Sequence, residues 1–265
     1  MARIAKTEAK QTETLEQIDT RIRRVFAVLD KISRGIVLGH FKAAIVSGAP
    51  GSGKTHSLER ELTTAETQGK IRYQSVKGAM SAIGLYRNLF ECSEPGTVLV
   101  IDDCDSIFSD LDALNLLKNA LDTGKTRRVH WAKESRVLNE EGIPRSFEFK
   151  GAVVFITNID FSREIAKGNK MAPHYDALLS RSLYVDLRIH TKIEVLVRVR
   201  QVVFDEDFLQ DNDINNKQAK EMMDWLSGHV DRLRTLSIRT VIQMAAMIKT
   251  DRHWQDMAEM LLLKN

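Results

Sequence analysis

The stretch GAPGSGKT, residues 48–55, constrains this chain more than any other part of it. An apolar run, AAIVS (43–47), leads into it, and residues of helical composition follow. Its glycines let the backbone curl so that main-chain N–H groups point at one centre, and the helix that follows adds the positive end of its dipole. Such a loop cradles phosphate oxygens. The spacing fits G-x-x-x-x-G-K-[ST] without departure. Gly48, Ala49, Pro50, Gly51, Ser52, Gly53, Lys54, Thr55 and the following His56 are therefore the candidate nucleotide contacts. Lys54 offers a charge to the β- and γ-phosphates, and Thr55 a hydroxyl for Mg2+.

The surroundings fit such a loop. Four more short apolar runs follow AAIVS: IRYQSV (71–76), VLVI (98–101), VVFIT (153–157) and LYVDL (183–187), with helical stretches between them. Apolar strands alternating with helices predict an α/β fold, a doubly wound five-stranded parallel sheet covered on both faces. Before it, apolar residues from Leu15 to Ile32 recur at helical spacing. After His190 strand patterning ends, and TKIEVLVRVRQVVF, NKQAKEMMDWLSGHV, SIRTVIQMAAMIKT and HWQDMAEMLLLK all read as helices. The expected division is an N-terminal helical segment over 1–33, a nucleotide-binding core over 34–190 and a helical lid domain over 191–265. Two alternating runs, RRVHWA and RSFEFKG, flank a polar stretch and predict a β-hairpin inserted near 126–150.

Composition narrows the setting. With 265 residues, 43% of them hydrophobic, the chain can bury a sizeable core. Its net charge of +3 permits nucleic-acid binding without arguing for it. Cys92 and Cys104 make neither a disulfide framework nor a metal-ligand pair, and read as core thiols in a reducing, cytoplasmic setting. No run reaches the ~18 apolar residues of a membrane span, and the polar start MARIAKTEAKQTETLEQ has no signal-peptide core.

Two strand ends carry further chemistry. VLVIDDCD (98–105) delivers two acids at the end of a buried strand. Asp102 is the candidate metal carboxylate, beside Thr55, and Asp103 the candidate group to polarise attacking water. Acids in this place also serve as helix caps. Asn158 ends VVFITN, where its amide can hold the water or the γ-phosphate, or simply form a turn.

In order and spacing these parts resemble the AAA+ ATPase superfamily across roughly residues 34–250. The resemblance implies an ATP hydrolase using ATP and Mg2+. It places Asn158 at the position called sensor 1. Arg181, in LLSRS, looks like the arginine finger, with wording similar to the Ser-Arg-Cys box of clamp loaders. Arg239, in LSIRTV, looks like the sensor 2 arginine. SRGIVLGH (33–40) falls where family members hold adenine, with Ile36 the candidate contact. An arginine finger acts on a neighbour's γ-phosphate and is typically worth about 10³–10⁵ in rate. Its head-to-tail contacts imply a homo-oligomeric ring, of six by analogy. Arg181 pairing with Asp176 or Asp186, and Arg239 as a solvated helix charge, stand as the plainer readings. One departure is Asp103, where most family motors carry Glu; helicase-loader relatives carry the same Asp-Asp pair. Compact size resembles the short AAA+ proteins of bacteriophages.

The resemblance puts the loop VKGAMSAIG (76–84) at a central pore, with Lys77 and Met80 where protein-threading members hold an aromatic residue. The hairpin brings Arg127, Arg128, Lys133 and Arg136 around Trp131, a pattern that could contact DNA or RNA and stack a base. A solvated hairpin with Trp131 packed inward fits equally well. Three functions are carried forward: an ATPase loading onto or remodelling nucleic acid, a protein-remodelling ATPase, and a nucleotide-gated scaffold with little turnover.

Overall fold

The structure, a computed structural model, describes residues 13–264. Most of the polar start, residues 1–12, lies outside the described residues. The chain falls into two compact units. One holds Val25–His190 with Ser237–Arg239. The other holds residues 13–24, Thr191–Leu236 and 240–264.

The first unit is the α/β fold. Its strands are β1 (Ala43–Ser47), β2 (Arg72–Lys77), β3 (Thr97–Asp102), β4 (Arg128–His130), β5 (Ser146–Glu148), β6 (Ala152–Thr157) and β7 (Leu183–Asp186). Five of them form one parallel sheet in the order β2-β3-β6-β1-β7. Every residue of β1, β3 and β6 is buried, so their apolar runs show no alternation. The edge strands β2 and β7 carry the exposed positions. Register sets up the chemistry: Asp102 is level with Ile156, and Ser47 with Thr157. The loops leaving β3, β6 and β1 therefore emerge side by side at the carboxyl edge.

Helices α2 (Lys54–Thr67), α3 (Ala82–Glu91), α4 (Leu111–Ala120), α5 (Arg136–Glu140), α6 (Phe161–Ala166) and α7 (Ala172–Leu179) complete this unit, with a 3-10 turn over Asp105–Ser109. A continuous core links Leu99, Ile101, Phe108, Leu114, Leu117, Phe155, Phe161 and Leu178. The first helix, α1 (Leu15–Val37), runs five residues beyond the apolar periodicity that predicted it. A glycine inside that extension has a packing reason: a Cβ on Gly35 would lie 2.3 Å from the Phe41 ring.

The expected hairpin forms as the antiparallel pair β4–β5, with Val129 opposite Phe147. Its polar tip is not a plain turn. Ser135 caps the short helix α5, which buries Leu138, and Ile143 buries just after it. Trp131 packs inward, its ring 5.8 Å from that of buried Tyr86.

The second unit holds α8 (Lys192–Asp205), α9 (Phe208–Asp211), α10 (Asn216–His229), most of α11 (Ile238–Thr250) and α12 (Trp254–Leu262). Capping boxes start two of them, Thr191 with Glu194 and Asn215 with Gln218. The four expected helices are present; α9, four residues long, is too short to show a period. The start of α1 clusters with this unit, where Arg21 pairs with Glu194 at 2.5 Å and Arg23 with Asp205 at 2.7 Å. Both cysteines are free and buried. No helix among the described residues is long and apolar enough to cross a membrane.

Gly151, just before β6, has no room for a side chain: a Cβ would meet the Cys92 carbonyl at 2.2 Å and the Thr97 hydroxyl at 2.7 Å. Gly151→Ala should lower unfolding stability by about 1–3 kcal/mol, the usual cost of overpacking. Urea titration should show a lower midpoint with an unchanged slope.

Candidate functional site

The loop between β1 and α2 has its expected shape for a sequence reason. Gly51 and Gly53 hold φ of 69° and 93°, which L side chains rarely adopt. Gly51 is also closely covered: a Cβ there would lie 2.7 Å from Ser237 Cβ. Gly53 caps α2 with no side-chain hydrogen bond, and the first turn of α2 carries no acid. Its N-terminal N–H groups thus have no capping side chain, as an anion-binding helix start requires.

Lys54 is the hub. Only 6% exposed, its ammonium donates to the Gly48 carbonyl at 2.6 Å, the Ala49 carbonyl at 3.1 Å and Asn158 Oδ1 at 2.8 Å. Burial pulls its pKa below the ordinary lysine value, while the carboxylates of Asp103, Asp102 and Asp105 pull it back up; Arg239 adds to the lowering. Asn158 uses its other end to donate to Asp103 Oδ1 at 2.9 Å. Lysine, amide and acid so form one chain across three loops.

Asp103 has φ of 53°, a left-handed backbone that Asp tolerates better than most residues. That turn parts the two acids. Asp103 meets Asn158, while Asp102 accepts from the Thr55 hydroxyl at 3.1 Å. Thr55 and Asp102 offer oxygen donors side by side, a set suited to a hard cation such as Mg2+ that keeps part of its water. Burial pushes the Asp102 carboxyl above its ordinary value, against the Thr55 hydrogen bond and the Lys77 charge.

Lys77 was expected at a pore, and the structure adds a second setting. Its ammonium lies 2.9 Å from Glu59 Oε1 and 3.4 Å from Asp102 Oδ2. The cause is register, since Lys77 on β2 pairs with Asp102 on β3. Asp105, which the sequence reading passed over, accepts from the Thr157 hydroxyl at 2.6 Å. Its only sequence signal was a third acid in VLVIDDCD.

The remaining candidates divide. Pro50 is exposed on the loop and His56 in the first turn of α2, and Ser52 is buried with its hydroxyl donating to the Ala49 carbonyl. Arg239 is exposed and near enough to act on Lys54; beside it, the Ile238 N–H donates to the Gly51 carbonyl at 2.9 Å. Ile36 is buried within α1. Arg181 is not brought to this site. It precedes β7, whose first residue pairs with Ala44, so it lies at the amino edge while the phosphate loop follows the carboxyl edge. Among the described residues it forms no ion pair with Asp176 or Asp186; its Nη1 donates to the Ala177 carbonyl at 2.7 Å.

One candidate nucleic-acid contact is corrected. Arg127 is 7% exposed, donates to the carbonyls of Ala120 and Gly151 and lies 4.9 Å over the Phe149 ring. It holds the base of the hairpin and is not offered to a ligand. Arg128 is exposed, and Arg136 pairs with Glu140 at 2.7 Å.

No protein-family model matches the chain. An Enterobacteria phage T4 protein, described as an uncharacterized 36.7 kDa protein in the nrdC-mobD intergenic region, is 45% identical over 247 residues. The match spans 93% of this chain and 76% of the T4 protein. The chain belongs to that phage protein's family. Among solved structures, AMPPCP-bound DnaA from Aquifex aeolicus superposes with TM-score 0.50 at 14% identity, over 89% of this chain. A DNA replication initiation factor superposes with TM-score 0.47 at 14% identity, also over 89%. The chain spans 64% of the length of each of these two structures. Together with the phosphate loop, acidic strand end and strand order, the DnaA likeness shows the AAA+ fold.

Two substitutions test the geometry. Arg127→Ala should cost about 2–4 kcal/mol, because two buried carbonyls lose a charged donor, while leaving nucleotide and nucleic-acid affinity unchanged by titration. Asp102→Asn should leave ATP binding in EDTA within about twofold and remove most of the gain that Mg2+ brings, measured by calorimetry.

Proposed function

We propose that the protein is a Mg2+-dependent ATP hydrolase whose active site is completed by a second copy of the chain. The observation that carries this reading is the placement of Arg181. A guanidinium and a phosphate loop stand at opposite ends of one parallel sheet, so a copy cannot serve itself, and head-to-tail stacking brings the two together. We place the copies in a closed ring, six by analogy with the fold.

In cis, the main-chain N–H groups of the loop and the Lys54 ammonium bind and orient the triphosphate. Thr55 and Asp102 would hold Mg2+, which when bound draws charge from the phosphate oxygens. Asp103, steadied by the Asn158 amide, accepts the proton of the attacking water. Arg239 supports the phosphates from the same side. In trans, Arg181 opens onto a pocket of about 530 Å³, whose wall also carries Lys42, Lys125 and Lys150 against Asp122 and Glu148. A cationic excess there suits a phosphate-bearing neighbour. Arg181 Nε is buried with no partner among the described residues, leaving a donor for it.

The target we favour is nucleic acid, reached through exposed Arg128 and the loop carrying Lys77 and Met80. A protein target is the second reading, favoured by the hairpin charges: Lys133 pairs with Asp112, Arg136 with Glu140 and Arg145 with Glu134. DNA that raises ATP turnover, in a manner lost with salt, supports the first; stimulation by a protein alone supports the second.

ATP turnover per copy should rise with protein concentration. Arg181→Ala should lower it by about 10³-fold or more, with ATP affinity of the unassembled chain unchanged. Turnover that is concentration-independent and indifferent to this substitution would sink the proposal.

A further inference from the structure

Arg181 is not the only basic group on its face of the molecule. From its position after α7 it folds back to the Ala177 carbonyl. His174 lies one turn before Ala177, whose carbonyl holds Arg181, so it neighbours that anchor along the helix. Across from it, in the last turn of α4, Lys118 sets its ammonium 2.8 Å from His174 Nδ1. Its other bond goes to the neutral Asn115 side chain at 3.3 Å. Burial, then the charge of Arg181, holds the Lys118 pKa below its ordinary value, and no carboxylate figures among the causes. Three basic side chains are thus gathered where α4 meets α7, and among the described residues neither Lys118 nor Arg181 forms an ion pair with a carboxylate. Such a group is relieved by an incoming anion.

We infer that Lys118, oriented by His174, is a second cation presented with Arg181 to the polyphosphate of the nucleotide held by the adjoining copy. This rests on the intersubunit reading above and adds a residue to it. The contacts with His174 and Asn115 leave one ammonium proton to bond a phosphate oxygen. Lysine acts there as a point charge, complementing the planar fork of Arg181.

The test uses the full chain and ATP. Lys118→Gln should bind ATP like wild type when dilute, yet turn it over about tenfold more slowly or worse when assembled, the loss expected of one charge-assisted contact. Lys118→Arg should restore most of that loss, which a merely structural role would not require. Mixing Lys118→Gln with Lys54→Ala copies, whose own sites are disabled but whose Lys118 and Arg181 are intact, should recover turnover. Full turnover by Lys118→Gln while Arg181→Ala is inactive would overturn this inference alone. A deficit that mixing does not repair would also overturn it. Wild-type turnover that ignores Arg181 would overturn the intersubunit reading and this inference together.

Discussion

One buried ammonium holds the site in shape. Lys54 draws in two carbonyls of its own loop and the amide of Asn158, so the loop after β1 and the end of β6 are joined through a single charge. All three acceptors are neutral, and the group stays desolvated. A charge placed this way is costly unless its bonds are complete. Under the proposed function it would exchange carbonyl partners for phosphate oxygens, which neutralise it better. That exchange would release Asn158 toward Asp103.

The framework around this lysine was readable because it is built from local rules. An unbroken G-x-x-x-x-G-K-[ST] spacing after an apolar strand admits few folds, and the runs at 98–101 and 153–157 became β3 and β6, buried on both faces. What could not be read depends on residues distant in sequence. Arg127 looked like a surface cation, but its fate was set by the Ala120 and Gly151 carbonyls and the Phe149 ring. The extension of α1 depends on Phe41 covering Gly35, and the fate of Lys77 on strand register. The hairpin alternation was visible, yet Trp131 turned inward only because Tyr86 of α3 waits there.

The acid pair shows how backbone geometry can choose a side chain. Asp103 sits at a left-handed φ, where Asp and Asn are the favoured residues with a side chain. Its short carboxylate also meets Asn158 directly. An aspartate here, where most AAA+ motors carry glutamate, therefore matches this turn. The departure is part of a self-consistent local design.

The docking of Arg181 on the Ala177 carbonyl has a further consequence. To reach outward, the guanidinium must leave the end of a helix, where the dipole already favours positive charge. A solitary copy offers nothing better, so the side chain stays stowed. Under the proposed function, a partner loaded with nucleotide would be what draws it away. The resting arrangement would then act as a safety catch, sparing the cell futile nucleotide consumption by stray copies.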